Sequence, residues 1–197
     1  MITVRVDGQT FAADVSQINQ LGDLLELVKV TMNPDSIIVD LSLNDKPLSE
    51  NDWSAPLSSH TEAIIDIQTG NKADYLHDRL GSAVPYLQEV IEGFDTAAAK
   101  YRASSIDDAN EALRGAADDL LSFIRWYIAI LAIEPVKLQP QILEFTEYVK
   151  EVQEVCEGML DQQEYQTWLT LAETIETKLQ TCFRRLLEFL VKGADAA

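Results

Sequence analysis

The chain has 197 residues, 47% of them hydrophobic, and a formal charge of −18 from 33 acidic against 15 basic side chains. That length accommodates one large or two small cores. The charge repels phosphate backbones and anionic lipid, so neither nucleic acid nor a membrane surface is an expected partner, whereas a basic protein would be attracted. The acids are spread throughout, since residues 1–70 alone hold eleven against three cations. Two cysteines exclude a disulfide scaffold and indicate a reducing, cytoplasmic compartment. Met1-Ile-Thr-Val-Arg-Val alternates from the start, with no apolar signal core. The longest strongly apolar run without charge, Trp126 to Ile133, falls far short of the roughly 20 residues that span a bilayer.

The hydrophobic period then changes near Gly70. Before it, apolar residues alternate, as in Ile2, Val4, Val6 and in Val39, Leu41, Leu43, which indicates half-buried strands. Asp7-Gly8 sits between two such runs and predicts a tight hairpin, because a type I′ turn needs positive φ at both central residues. The second strand is expected over Thr10 to Val15. Residues Gln17 to Met32 follow helical spacing through Leu21, Leu24, Leu25 and Val28, and Asn33-Pro34 stops that helix. Further strands are expected at Ile37 to Leu43, briefly at Leu48, and at Thr61 to Thr69. Thr3, Arg5, Asp40, Ser42, Glu62, Asp66 and Gln68 then point away from the core, with Ile38 and Ile64 as the apolar exceptions.

Strand, strand, helix, strand, short strand, strand in residues 1–70, with Leu43-Asn-Asp-Lys-Pro-Leu48 as the turn into the short strand, resembles the ubiquitin-like β-grasp. The resemblance is one of fold and covers about a third of the chain. Ubiquitin-like modifiers and sulfur carriers end in a free Gly-Gly, but here Thr69-Gly70-Asn71-Lys72 runs on into more chain. A conjugated modifier or sulfur carrier is therefore not expected.

From residue 71 to 197 the apolar period is near 3.5, which predicts an acidic, antiparallel, up-down four-helix bundle and an α+β class overall. The first long helix runs from about Ala73 to Ala103, with a kink or break because Pro85 clashes with the carbonyl of Gly81. Its seam is Leu87, Ile91, Phe94, Ala98, Tyr101. Ser105, with Asp108 three residues on, is the expected cap of the second helix, whose seam is Ile106, Ala109, Leu113, Ala117, Leu120, Ile124, Tyr127, Leu131. A linker bounded by Pro135 and Pro140 occupies 134–140. The third seam is Ile142, Phe145, Val149, Val152, Cys156, Met159, with Gly158 as C-cap. Asp161 to Glu164 reads as a capping box opening a last helix through Trp168, Ala172, Ile175, Leu179, Cys182, Leu186 and Phe189.

No motif for catalysis, metal or cofactor stands out. A carboxylate-bridged metal pair needs two Glu-x-x-His motifs, and the chain has only His60, in a Ser-rich loop, and His77. If the last two helices turn at Asp161, Cys156 and Cys182 lie roughly 24 Å apart along the axis, too far for a disulfide, so both thiols are expected free and inert. Phosphate loops, dinucleotide glycine patterns, metalloprotease pairs and calcium loops are absent from the sequence.

Leu120 to Ile133 is exceptional. On a helical wheel its large apolar residues fill about 240°, although a packed helix needs a stripe of little more than about 100°. The second stripe, Phe123, Trp126, Ile130 and Ile133, requires cover from the N-terminal module, from the Pro-rich linker with the kinked first helix, or from a second protein. The expected function is thus a non-catalytic interaction or adaptor protein, binding a protein partner or itself, most simply as a homodimer anchored on Trp126. Two alternatives are an acidic secretion- or flagellar-type chaperone with a groove at Phe123 and Trp126, and an enzyme or ligand-binding bundle walled by Trp126, Tyr127 and Trp168.

Overall fold

The computed structural model describes residues 2–12, 18, 20–48 and 63–195. The protein is α+β, an N-terminal five-stranded mixed sheet followed by helices, and it divides into two compact units, Met1–Tyr75 and Leu76–Ala197.

In the first unit, β1 (Ile2–Val6), β2 (Gln9–Thr10), α1 (Leu21–Thr31), β3 (Ser36–Leu43), β4 (Lys46–Pro47) and β5 (Ala63–Asn71) make a sheet of order β2-β1-β5-β3-β4. Its centre is the parallel pair β1 and β5, in the register Val4↔Ile65 and Val6↔Ile67. Alternation puts Val4, Ile65 and Ile67 on one face, where they bury Leu21, Leu24, Leu25 and Val28 of α1. Asp7 and Gly8 both have positive φ, 51° and 77°, as the hairpin requires. The Asp7 carboxylate also accepts hydrogen bonds from the Thr69 backbone N–H at 2.8 Å and its hydroxyl at 2.7 Å, which ties the hairpin to β5. Asn44 and Asp45, at φ 49° and 62°, form the corresponding turn into β4.

Three expectations change here. The described part of β2 ends at Thr10, and positions 13–15 lie outside the described residues, as do Glu62 and His60. Val39 is not a core residue, because the β3–β5 register shifts between Ile38 and Asp40. That bulge inserts one residue and reverses the alternation upstream of it. Ile38 joins Leu41 and Leu43 against the core, while Val39 is 39% exposed. Val39 instead covers Gly70, where a Cβ would lie 2.9 Å from its Cγ1.

After α2 (Lys72–Gly81), whose first residues belong to the first unit, the second unit holds α3 (Ala83–Arg102), α4 (Ile106–Leu131), α5 (Gln139–Glu164), α6 (Trp168–Thr174), a π-helical turn (Ile175–Leu179) and α7 (Gln180–Asp195). The first long helix breaks at Ser82, three residues before Pro85, whose missing N–H leaves the Gly81 carbonyl without its helical donor. α3 packs along α4, α6 and α7, and α5 packs on α6, α7 and α4. Gly93 allows the close approach of α3 to α4, since a Cβ there would stand 3.1 Å from the Ala116 Cβ. Ala116, not Ala117, is the buried member of the α4 seam.

The end of α5 also departs from expectation. Gly158 lies exposed inside the helix, and Asp161 to Glu164 form its last turn rather than a capping box. The stop is at Tyr165, with Gln166 in the left-handed region at φ 54°. The N–H of Thr167 donates to the Gln162 carbonyl and that of Gln166 to the Gln163 carbonyl, the paired bonds of a Schellman motif. Ser104, φ 59°, ends α3 in the same way. Ser105 does occupy the N-cap of α4, but its hydroxyl donates to the Asp108 carboxylate at 2.7 Å and makes no capping bond.

Candidate interaction face on α4

The stripe singled out by the sequence divides in the structure. Phe123 and Ile130 are buried, at 0% and 4% exposure, whereas Trp126 and Ile133 are half-buried. Cover for the aromatic part comes from within the unit. Tyr86, immediately after Pro85 on α3, meets the Phe123 ring edge-on at 5.3 Å and the Trp126 ring at 5.4 Å. The kinked first helix is thus the part of the chain that packs on the aromatic end of this stripe. Phe123, Trp126, Ile130 and Ile133 therefore do not form a continuous free strip.

Behind Phe123 the aromatic cluster continues inward. Tyr127 packs on Phe145 at 4.6 Å and on Phe189 at 6.3 Å. Burial of its hydroxyl pushes the Tyr127 pKa up to about 12. Trp168, expected to share a cavity with Trp126 and Tyr127, instead stacks on Tyr101 at 5.7 Å with the rings 5° from parallel. Tyr101 and Tyr86 are about 22 Å apart along α3 at helical rise, so the three aromatics do not converge on one site. Tyr101 also donates to Asn110 Oδ1 at 2.6 Å, and Gln163 donates to the same oxygen at 3.3 Å, linking α3, α4 and α5.

The thiols are closer than the sequence reading placed them. Arg185 pairs with Glu151, and Tyr148 lies 5.3 Å from Phe189, so α5 and α7 run antiparallel in a register that sets Cys182 level with residue 154. That leaves an axial offset from Cys156 of about 3 Å; moving the turn from Asp161 to Gln166 shortens the later arm and lengthens the α5 arm by five residues each, which removes about 15 Å of the expected offset. Both cysteines are free. Burial first, and the neighbouring Cys182 second, push the Cys156 pKa up to about 11.

What α4 leaves in solvent is its opposite face. Leu121 is 45% and Ile128 50% exposed. They lie seven residues apart, almost one above the other. Arg114, Asp118 and Arg125 occupy the same exposed face, and none has a hydrogen-bond or ion-pair partner for its side chain among the described residues. His77 is exposed on α2, and no group of three metal-ligating side chains occurs among the described residues. No described helix is long and apolar enough to cross a membrane.

Residues 78–189, from within α2 into α7, match the family model described as a domain of unknown function, DUF8042. The match covers more than half of the chain, and the chain belongs to that family. No curated protein and no solved structure matches it.

Proposed function

We propose that this DUF8042 member is a non-catalytic interaction module that binds a protein partner through the outward face of α4. The reading rests on one observation: Leu121 and Ile128, 45% and 50% exposed, share a helix face with Arg114 and Arg125, which have no ion-pair partner among the described residues. Exposed apolar side chains in register on a helix, rimmed by polar groups, are the usual form of a protein-binding surface. Two finer fold assignments accompany the proposal. The order β2-β1-β5-β3-β4 with a parallel central pair and one packed helix supports a ubiquitin-like β-grasp for the first unit. Short connections at 103–105, 132–138 and 165–167 support an up-down four-helix bundle for the second. A cytoplasmic setting accords with the two free thiols.

The test compares the full chain with the double variant Leu121→Asp, Ile128→Asp as baits. A protein recovered by the parent and lost with the folded variant supports the reading. Equal recovery by both, or turnover of a small molecule by the purified chain, overturns it.

A further inference from the structure

We infer that the occupant of the outward α4 face is a second copy of the same chain, packed antiparallel about a two-fold axis that passes between Leu121 and Ser122. The inference rests on the interaction reading above and names its partner. At about 100° per residue, the buried residues Ala109, Leu113, Ala116, Leu120, Phe123 and Tyr127 fix the inward direction of α4. Asp118 and Arg125 lie within about 20° of the direction opposite, so they form the crest of the exposed face.

These two charges are seven residues apart, about 10.5 Å along the axis, and do not pair within one chain. An antiparallel copy reverses their order. Centred between residues 121 and 122, it brings each Arg125 level with the other copy's Asp118, making two equivalent ion pairs from one complementarity, as an isologous interface demands. In the same register Leu121 meets its own counterpart beside the axis. Ile128 lies against the aliphatic stem of the other copy's Arg114, which can cover apolar surface while its head stays in water.

Charge decides between this occupant and another. A chain of −18 is ill-suited to contact its own copy almost anywhere. Between residues 111 and 132, however, the outward face carries Arg114 and Arg125 against Glu111 and Asp118, with Asp119 exposed at its edge, and is far closer to neutral than the chain as a whole. At physiological ionic strength the remote acids are screened beyond a Debye length of about 8 Å, while paired groups in contact are not. A single helix pair buries less than the roughly 1,200 Å² of a standard interface, so the association is expected in the micromolar range.

Sedimentation of the full chain at physiological salt, across the micromolar range, tests the proposal, with far-UV circular dichroism as the folding control. The parent is expected to pass from monomer to dimer, Arg125→Asp to remain monomeric, and the double reversal Asp118→Arg, Arg125→Asp to dimerise again. A parent that stays monomeric at several hundred micromolar overturns the inference, as does a dimer that survives Leu121→Asp or a double reversal that fails to restore it. A monomeric parent whose bait still recovers a protein through Leu121 and Ile128 would defeat self-association alone and leave the interaction reading standing.

Discussion

Replacing Gly158 by Ala separates two accounts of where α5 ends. In the structure Gly158 is an exposed interior residue of α5, and a Cβ there would meet nothing within 4 Å. Alanine is about 1 kcal/mol more favourable than glycine in a helix interior, so Gly158→Ala is expected to stabilise the helical unit by about that much. For a unit of this size that raises Tm by about 4 °C. Were Gly158 the left-handed residue that ends the helix, the Cβ would cost about 1 kcal/mol instead. The two accounts therefore differ by about 2 kcal/mol and in sign, well beyond the error of a calorimetric or urea midpoint. Gly93→Ala is the internal control. It has the same propensity gain, but its new methyl would stand 3.1 Å from the Ala116 Cβ, a backbone-fixed atom that cannot swing away. Little or no stabilisation is expected from it. A fall in Tm for Gly158→Ala, or an equal rise for Gly93→Ala, would refute the assigned helix end and the α3–α4 packing respectively.

Phe123→Ala should cost about 3 to 5 kcal/mol, because Phe123 is fully buried against Tyr86, Trp126 and Tyr127; a urea midpoint unchanged from the parent would show that the stripe is not core. Leu121→Asp, at an exposed position, should leave the monomer's midpoint within about 0.5 kcal/mol, measured below the dimerisation range. Alkaline pH should destabilise the helical unit. Burial raises Tyr127 to about 12 and Cys156 to about 11, so the unfolded chain ionises first, and stability that is intact below about pH 9 is lost as pH rises toward 11 to 12. Denaturant midpoints read across that range should fall less steeply in Tyr127→Phe, and an identical fall in both proteins would contradict the burial argument. For the same reason Cys156 should react with iodoacetamide at pH 8 far more slowly in the native state than in urea; comparable rates would place that thiol at the surface.

Legibility from sequence followed the strength of the local signal. Asp7-Gly8 names its own turn, and Leu21, Leu24, Leu25 and Val28 name the face of α1, because one short-range rule decides each. Val39 could not be placed this way. A bulge is a property of two strands in register, and the alternating pattern of β3 carries no mark of the residue that will be inserted. The end of α5 was missed for a related reason. Its left-handed residue is Gln166, which has no preference for that conformation, while Gly158, which does, lies eight residues earlier on a face where helix can simply continue. The Schellman bonds and the packing of α6 on α5 outweigh the local penalty, and those contributions are tertiary.

The α4 stripe shows how an excess of apolar surface was legible while its disposition was not. The sequence showed that Leu120 to Ile133 carries more hydrophobic surface than one packing contact uses. It could not show which part is satisfied, because the cover comes from Tyr86, whose position is set by the break around Pro85. Once Tyr86 closes over Phe123 and Trp126, the unsatisfied remainder is the edge of the arc, Leu121 and Ile128. On the helical wheel Arg125 falls in the small polar gap beside them. Read as a gap in an apolar belt, Arg125 carries no information. Read with Asp118 seven residues before it, it is half of a symmetric pair that one chain cannot complete. That pairing was present in the sequence, but only the buried direction of α4 shows that both charges stand at the crest of the exposed face.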